Sequence, residues 1–229
     1  MGSLGVSNLI IVESENDQYF ISYLIDKWSI SNTDVNHFDY KLLGGLGGFA
    51  KKIRDIKYDK YNKIGIVIDA DSFGVESRVE FTNQRFKEYY QELSQDNSSI
   101  DVNEKIIDTI NQLKPSINLD VNVALYVTNV EGKGELETLL KSIKSKDSDY
   151  ADCLYAWRDC ASGKDKKITD KEFDKFWVNN YLRFDTCSKE EKKQAGRKCS
   201  GEFAIKKDIW NLEHPNLDDL KKFLQLFVN

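Results

Sequence analysis

The chain has 229 residues, a length that suits one domain of ordinary size with a small appendage and argues against two full independent domains. Hydrophobic residues make up 40% and charged residues 31%, which excludes disorder throughout. A net charge of −5 excludes gripping nucleic acid by bulk charge alone, so a polyanionic partner would need a local basic patch or a bridging cation.

Leu9 to Val12 is a short apolar run rich in β-branched residues, as expected of a strand buried on both faces of a parallel sheet. It is too short for a signal peptide or a membrane span, and no run reaches the roughly 18 apolar residues a span needs. A cytoplasmic protein without a membrane partner is expected. Phe20, Ile21, Leu24, Ile25 and Trp28 then form one apolar helical stripe, and Ser14 followed by Asp17 reads as a capping box that starts this helix just after Glu13. Phe38 to Leu43 is expected as a second strand, Phe49 to Ile56 as a second helix, and Ile64 to Ile68 as a third, buried strand. Arg78 to Leu93 and Asn103 to Leu113 carry helical patterns, the latter ended by Lys114-Pro115. Val121 to Val127 reads as another buried strand, followed by a helix over Leu136 to Ile143. The alternation predicts an α/β fold, a largely parallel sheet flanked by helices, over residues 1–145. Residues 146–229 lack a buried-strand run and are expected to form a helical C-terminal extension packed on it.

Ligands of parallel α/β sheets bind outside the carboxyl ends of the strands, so polar residues there are the first site candidates. The first strand ends in Glu13 and the third in Asp69-Ala70-Asp71. In extended chain, side chains at i and i+2 point the same way, so Asp69 and Asp71 are expected to offer oxygens to one cation, with Glu13 as a third ligand. Three adjacent carboxylates repel unless a cation shares the site, and oxygen-only ligation suits Mg2+ or Mn2+. The alternative is that the aspartates cap a turn or helix and Glu13 is solvated.

An apolar strand ending in Glu, a helix, a strand, a helix, and an apolar strand ending in Asp-x-Asp together resemble the Toprim domain. Val12-Glu13-Ser14-Glu15-Asn16-Asp17 resembles the Val-Glu-Gly-x-x-Asp form of small Toprim proteins, with Ser14 in place of the glycine. Gly65 to Asp71 resembles their second motif. Tyr126 to Asn129 followed by Gly134-Glu135-Leu136-Glu137 resembles a stand-alone, OLD-related subgroup. The resemblance spans residues 8 to 145. It implies a Toprim-like, Rossmann-like fold and a metal-dependent nuclease acting on DNA or RNA. Glu13, Asp69 and Asp71 would be catalytic and metal-binding, and Glu137 or Glu135 would join them at a second metal. It further implies a phage-defence or toxin effector, a role in which an operon-encoded protein partner is at home. The alternative is a non-catalytic Toprim-like module that binds nucleic acid or protein; a glycosyltransferase using Asp-x-Asp leaves Glu13 unexplained.

The run Gly44-Gly45-Leu46-Gly47-Gly48 precedes the second helix, so the amides of Gly45, Gly47 and Gly48, with Lys51 beyond them, are candidates for holding a substrate phosphate. A tight turn needing positive φ explains the same glycines. Phe173, Trp177, Tyr181 and Phe184 recur at helical spacing among Lys167, Lys171 and Lys175, either as core with solvated lysines or as a surface on which bases stack. The run Lys189 to Lys198 reads either as a solvated helix face or as a phosphate-facing patch. Cys153, Cys160, Cys187 and Cys199 are separated by six, 26 and 11 intervening residues, which is not zinc spacing, and free thiols are expected of all four.

Overall fold

Residues 7–37, 47–163, 167–194 and 197–228 are described by a computed structural model. Ser7–Val12 (β1) lies near the middle of a five-stranded sheet whose other members are Thr33–His37 (β2), Tyr61–Asp69 (β3), Lys114–Ser116 (β4) and Val121–Thr128 (β5). Their order is β2-β1-β3-β5-β4, and every pairing is parallel except β4 with β5. The registers place Ile10 opposite Val35 and Gly65, and Ile66 opposite Leu125.

Strand parity divides the apolar residues between two cores, as a sheet covered on both faces requires. Ile10, Val12, Val67, Ala124 and Tyr126 face one core, and Leu9, Ile11, Ile64, Ile66, Leu125 and Val127 face the other. The second core is closed by Phe49 and Ile53 of Gly47–Asp55 (α2) and by Phe86 and Tyr90 of Val75–Asp96 (α3). The first core takes Glu15–Lys27 (α1), Leu136–Ser142 (α4) and the helices of the last third. These are Asp149–Ser162 (α5), Asp170–Asn180 (α6), Gly201–Ile205 (α8) and Asp218–Gln225 (α9), whereas Lys189–Lys193 (α7) buries no residue. The expected α/β class, with a mostly parallel sheet, flanking helices and a helical C-terminal part, is the one observed.

The C-terminal part reaches into the centre of the sheet. A Cβ on Gly65 of β3 would come within 2.7 Å of Phe227 and 2.8 Å of Phe223, so this glycine is required by ring-to-backbone contact. Asn8 donates from Nδ2 to the Phe227 carbonyl at 3.0 Å, and Lys63 Nζ donates to that of Leu226 at 2.7 Å.

Several expectations shift. A strand is found at Thr33–His37, and the whole of the expected Phe38 to Leu43, together with Gly44, Gly45 and Leu46, lies outside the described residues. The helix expected over Asn103 to Leu113 is instead a series of turns. Side chains there compete for the backbone: Asp101 accepts from the Asn103 N–H, and Asn83 of α3 bonds both the N–H and the carbonyl of Ile107. Lys114 and Pro115 then begin β4 at the sheet edge, where a proline costs no ladder bond to a further strand. Cys187 and Cys199 form a disulfide, their Cα atoms 5.5 Å apart, while Cys153 and Cys160 are free and exposed. The pair closes across α7, a proximity that spacing alone does not reveal. Phe173, Trp177 and Tyr181 are core residues, and Phe184 is half-exposed. Among the described residues no helix is long and apolar enough to cross a membrane.

Candidate functional site

From β1 the chain turns to β2 on one side, and β3 lies on the other, so β1 and β3 flank the switch point of the sheet. A cavity of about 650 Å3 opens there, lined by Glu13, Asp17, Asp69, Glu135 and Glu137 and rimmed by Lys171 and Lys175. Each carboxylate arrives for a local reason. Glu13 follows the last residue of β1, and its Oε2 accepts the backbone N–H of Asp69 at 3.1 Å, which ties the two strand ends together. Asp17 belongs to the capping box of α1: its Oδ2 accepts from the Ser14 N–H at 2.9 Å and the Ser14 hydroxyl at 2.5 Å. Glu135 caps α4 with Thr138 as its reciprocal partner, and Glu137 stands in the first turn of that helix.

This concentration of charge raises the carboxyl pKa values. Burial, then the charges of Asp17, Glu13, Glu135 and Glu137, hold Asp69 well above the usual carboxylate range. Burial pushes Asp17 up to about 7, with Glu13 and Glu137 adding to it against the bonds from Ser14. Glu137 is raised by burial and by Glu135, against Lys175 and a bond from Asn16. Two acceptor oxygens, Oδ1 of Asp69 and Oε1 of Glu135, are buried without a hydrogen-bond partner, on side chains of residues only 8% and 2% exposed. An unpartnered buried carboxylate oxygen is costly, and here both belong to residues that line one cavity.

Asp71 behaves differently from its expected role. It has φ +50°, so the chain has left the extended conformation and the i, i+2 parity with Asp69 is broken. Its Oδ2 accepts from Arg78 at 2.5 Å and its Oδ1 from Lys171 at 2.7 Å. The Arg78 guanidinium also donates to the Asp69 carbonyl at 2.8 Å, so it fastens the whole turn. Asp71 and Gly134 exchange backbone hydrogen bonds of 2.8 and 2.9 Å, which pins the loop after β3 to the loop after β5. Lys171 also pairs with Glu135 Oε2 at 3.0 Å, and Lys175 with the same oxygen at 3.3 Å. Burial works against the charge on Lys171, but the bonds to Asp71 and Glu135 prevail and its pKa is raised.

The structure therefore brings Glu13, Asp69 and Glu137 to one cavity and turns Asp71 away from it. Gly47 and Gly48 open α2 and Lys51 is exposed on that helix; none of the three lines the acidic cavity, and Gly45 lies outside the described residues. Arg78 carries no site signal in the sequence, where it is one polar residue of a helix, and Asp17, though the last residue of the motif at the end of the first strand, reads there as a helix cap. Among the described residues no group of three or more His, Cys, Asp or Glu side chains is arranged to hold a metal ion. The donor chemistry still fits a hard cation, because the cavity offers only carboxylate oxygens in number and two of them are unpartnered.

Residues 7–229 match the family described as a protein of unknown function, DUF3226. The chain belongs to that family. No curated protein and no solved structure matches it. The match runs through the sheet, the acidic cavity and the C-terminal helices alike.

Proposed function

We propose that this chain is a metal-dependent phosphodiesterase acting on nucleic acid, a nuclease of the Toprim kind, with Mg2+ or Mn2+ held in the acidic cavity. The observation that carries the proposal is the pair of buried, unpartnered oxygens on Asp69 and Glu135 at the switch point of the sheet. Glu13, Asp69 and Glu135 would hold the ion, with Glu137 beside them. A bound divalent ion supplies charge neutralisation at the phosphate and an acidified water. Asp71 is then a positioning residue: it holds Lys171 at the rim, where the ammonium can meet a phosphate oxygen. Lys171 and Lys175 supply local positive charge that the net charge of −5 does not. The resemblance of residues 8 to 145 to Toprim proteins agrees with this reading, and so do the raised carboxyl pKa values, which a cation would reverse.

The second reading, a non-catalytic binding module, draws on the fact that no three side chains among the described residues stand arranged to hold an ion. The two part on one experiment. Purified protein is incubated with labelled DNA, transfer RNA and structured RNA in magnesium, manganese or EDTA. Metal-dependent cleavage of any one, reduced on the order of 1000-fold by Asp69→Ala, is the expected result. Absence of cleavage, or full activity in Asp69→Ala, would overturn the phosphodiesterase reading.

A further inference from the structure

The acidic cavity has a neighbour. A second cavity of about 750 Å3 lies between the loops that follow β3 and β5 and the start of α6, and it shares Glu135 and Lys171 with the first as a common wall. Its volume falls in the range of sites that enclose small ligands. Besides Glu135 of the shared wall, its three acids are paired from within. Asp71 is paired with Arg78 and Lys171, Asp174 with Lys141, and Asp170 with Arg158. Lys133, also in its lining, forms no ion pair among the described residues.

At the rim stands Phe73, 67% exposed, in the turn that joins β3 to α3. The Arg78 guanidinium covers this ring at 4.8 Å from its centroid, and Arg78 is itself fixed by Asp71 and the Asp69 carbonyl. One face of the ring is therefore backed by a cation held in place, and the exposure belongs to the other. The turn is rigidly held for a surface feature: Asp71 is bridged to Gly134, and the N–H groups of Phe73 and Gly74 both bond the Ala70 carbonyl at 3.1 Å. An aromatic face and an unpaired lysine, with Lys171 on the wall the two cavities share, are the elements that bind an unpaired nucleotide, stacking its base and holding its phosphate.

We propose that the second cavity is a nucleotide subsite, which takes the base next to the scissile phosphate on Phe73 and its backbone phosphate between Lys133 and Lys171. This rests on the phosphodiesterase reading for the meaning of "scissile", and it adds a substrate class: single-stranded or locally unpaired nucleic acid. A base in a duplex already has both faces stacked on its neighbours, so only an unpaired base offers a face to Phe73.

The test measures binding in EDTA, where neither a metal ion nor cleavage contributes. Fluorescence anisotropy is recorded for a labelled oligothymidylate and for a duplex of the same length. Wild type is expected to bind the single strand more tightly than the duplex. Phe73→Ala should weaken single-strand binding about tenfold or more, and Phe73→Trp should restore it. Lys133→Gln should flatten the dependence of log K on log salt by about 0.7. Phe203→Ala, at an exposed aromatic outside both cavities, should change nothing. Absence of single-strand binding, a preference for duplex, or an unchanged Kd in Phe73→Ala would overturn the subsite. The underlying reading is checked separately with bis(p-nitrophenyl) phosphate, a diester with no neighbouring nucleotide to place on Phe73. Its metal-dependent hydrolysis should be lost in Asp69→Ala.

Discussion

Asp69 and Asp71 are separated by one alanine, yet they stand in opposite electrostatic settings. Asp69 closes β3 among four other carboxylates, with one oxygen buried and unpartnered, and burial with like charge raises its pKa well above the ordinary range. Asp71 has each oxygen bound to a cation, Arg78 on one side and Lys171 on the other. The protein neutralises the outer aspartate with its own residues and gives one oxygen of the inner one no partner. Under the proposed function, the two acids of one motif divide the work: one builds the wall of the site, and the other faces the ligand.

The comparison makes opposite demands of two isosteric substitutions. Asp71→Asn removes the charge partner of Arg78, which is only 5% exposed, and should destabilise the metal-free protein by about 3 kcal/mol in a urea melt. Asp69→Asn relieves repulsion and should leave stability in EDTA equal or higher. If both variants behaved alike, the division between inner and outer acids would be wrong.

Titration sharpens the same contrast with a smaller effect. Asp17 titrates at about 7 in the folded protein against 3.8 for a free side chain, so the native state binds more protons than the unfolded state within that window. Stability in EDTA should therefore be greatest near the lower limit and fall as pH rises through about 7, on the order of 2 kcal/mol, because coupled carboxylates share the shift. Asp17→Asn should make the decline shallower, as followed by thermal melts across the range. A stability that rises with pH through this window would contradict the raised inner acids.

The smallest effect belongs to Lys175. Its ammonium is half-exposed and shares Glu135 Oε2 with Lys171, so Lys175→Gln should cost no more than about 0.5 kcal/mol. A larger loss in the urea melt would mean that the rim is as tightly built as the Asp71 turn.

What could be read from the sequence follows from how local each cause is. The strands β1, β3 and β5 are legible because β-branched runs buried on both faces leave no other reading, and α1 because its stripe and capping box lie within one short segment. Glu13 and Asp69 could be paired in advance, since parallel strands bring their ends to one edge. Asp71 could not be placed, because one positive φ reverses the parity of the following side chain. The acidic cavity takes its lysines from α6, about a hundred positions downstream, and only tertiary packing brings them there. The turns at Asn103 to Leu113 defeated a helical pattern because Ile106 and Ile107 are buried as anchors of a loop rather than as one face of a helix.

The contact between Gly65 and the rings of Phe223 and Phe227 bears on how this molecule comes into being. A ribosome delivers β1, α1, β2 and β3 long before it delivers α9, at a pace of about 5–20 residues per second. During that interval one face of the central strands has no cover at Gly65, and the bond from Asn8 to the Phe227 carbonyl has no acceptor. The cover of the central strands at Gly65 is therefore completed only when nearly the whole chain has emerged.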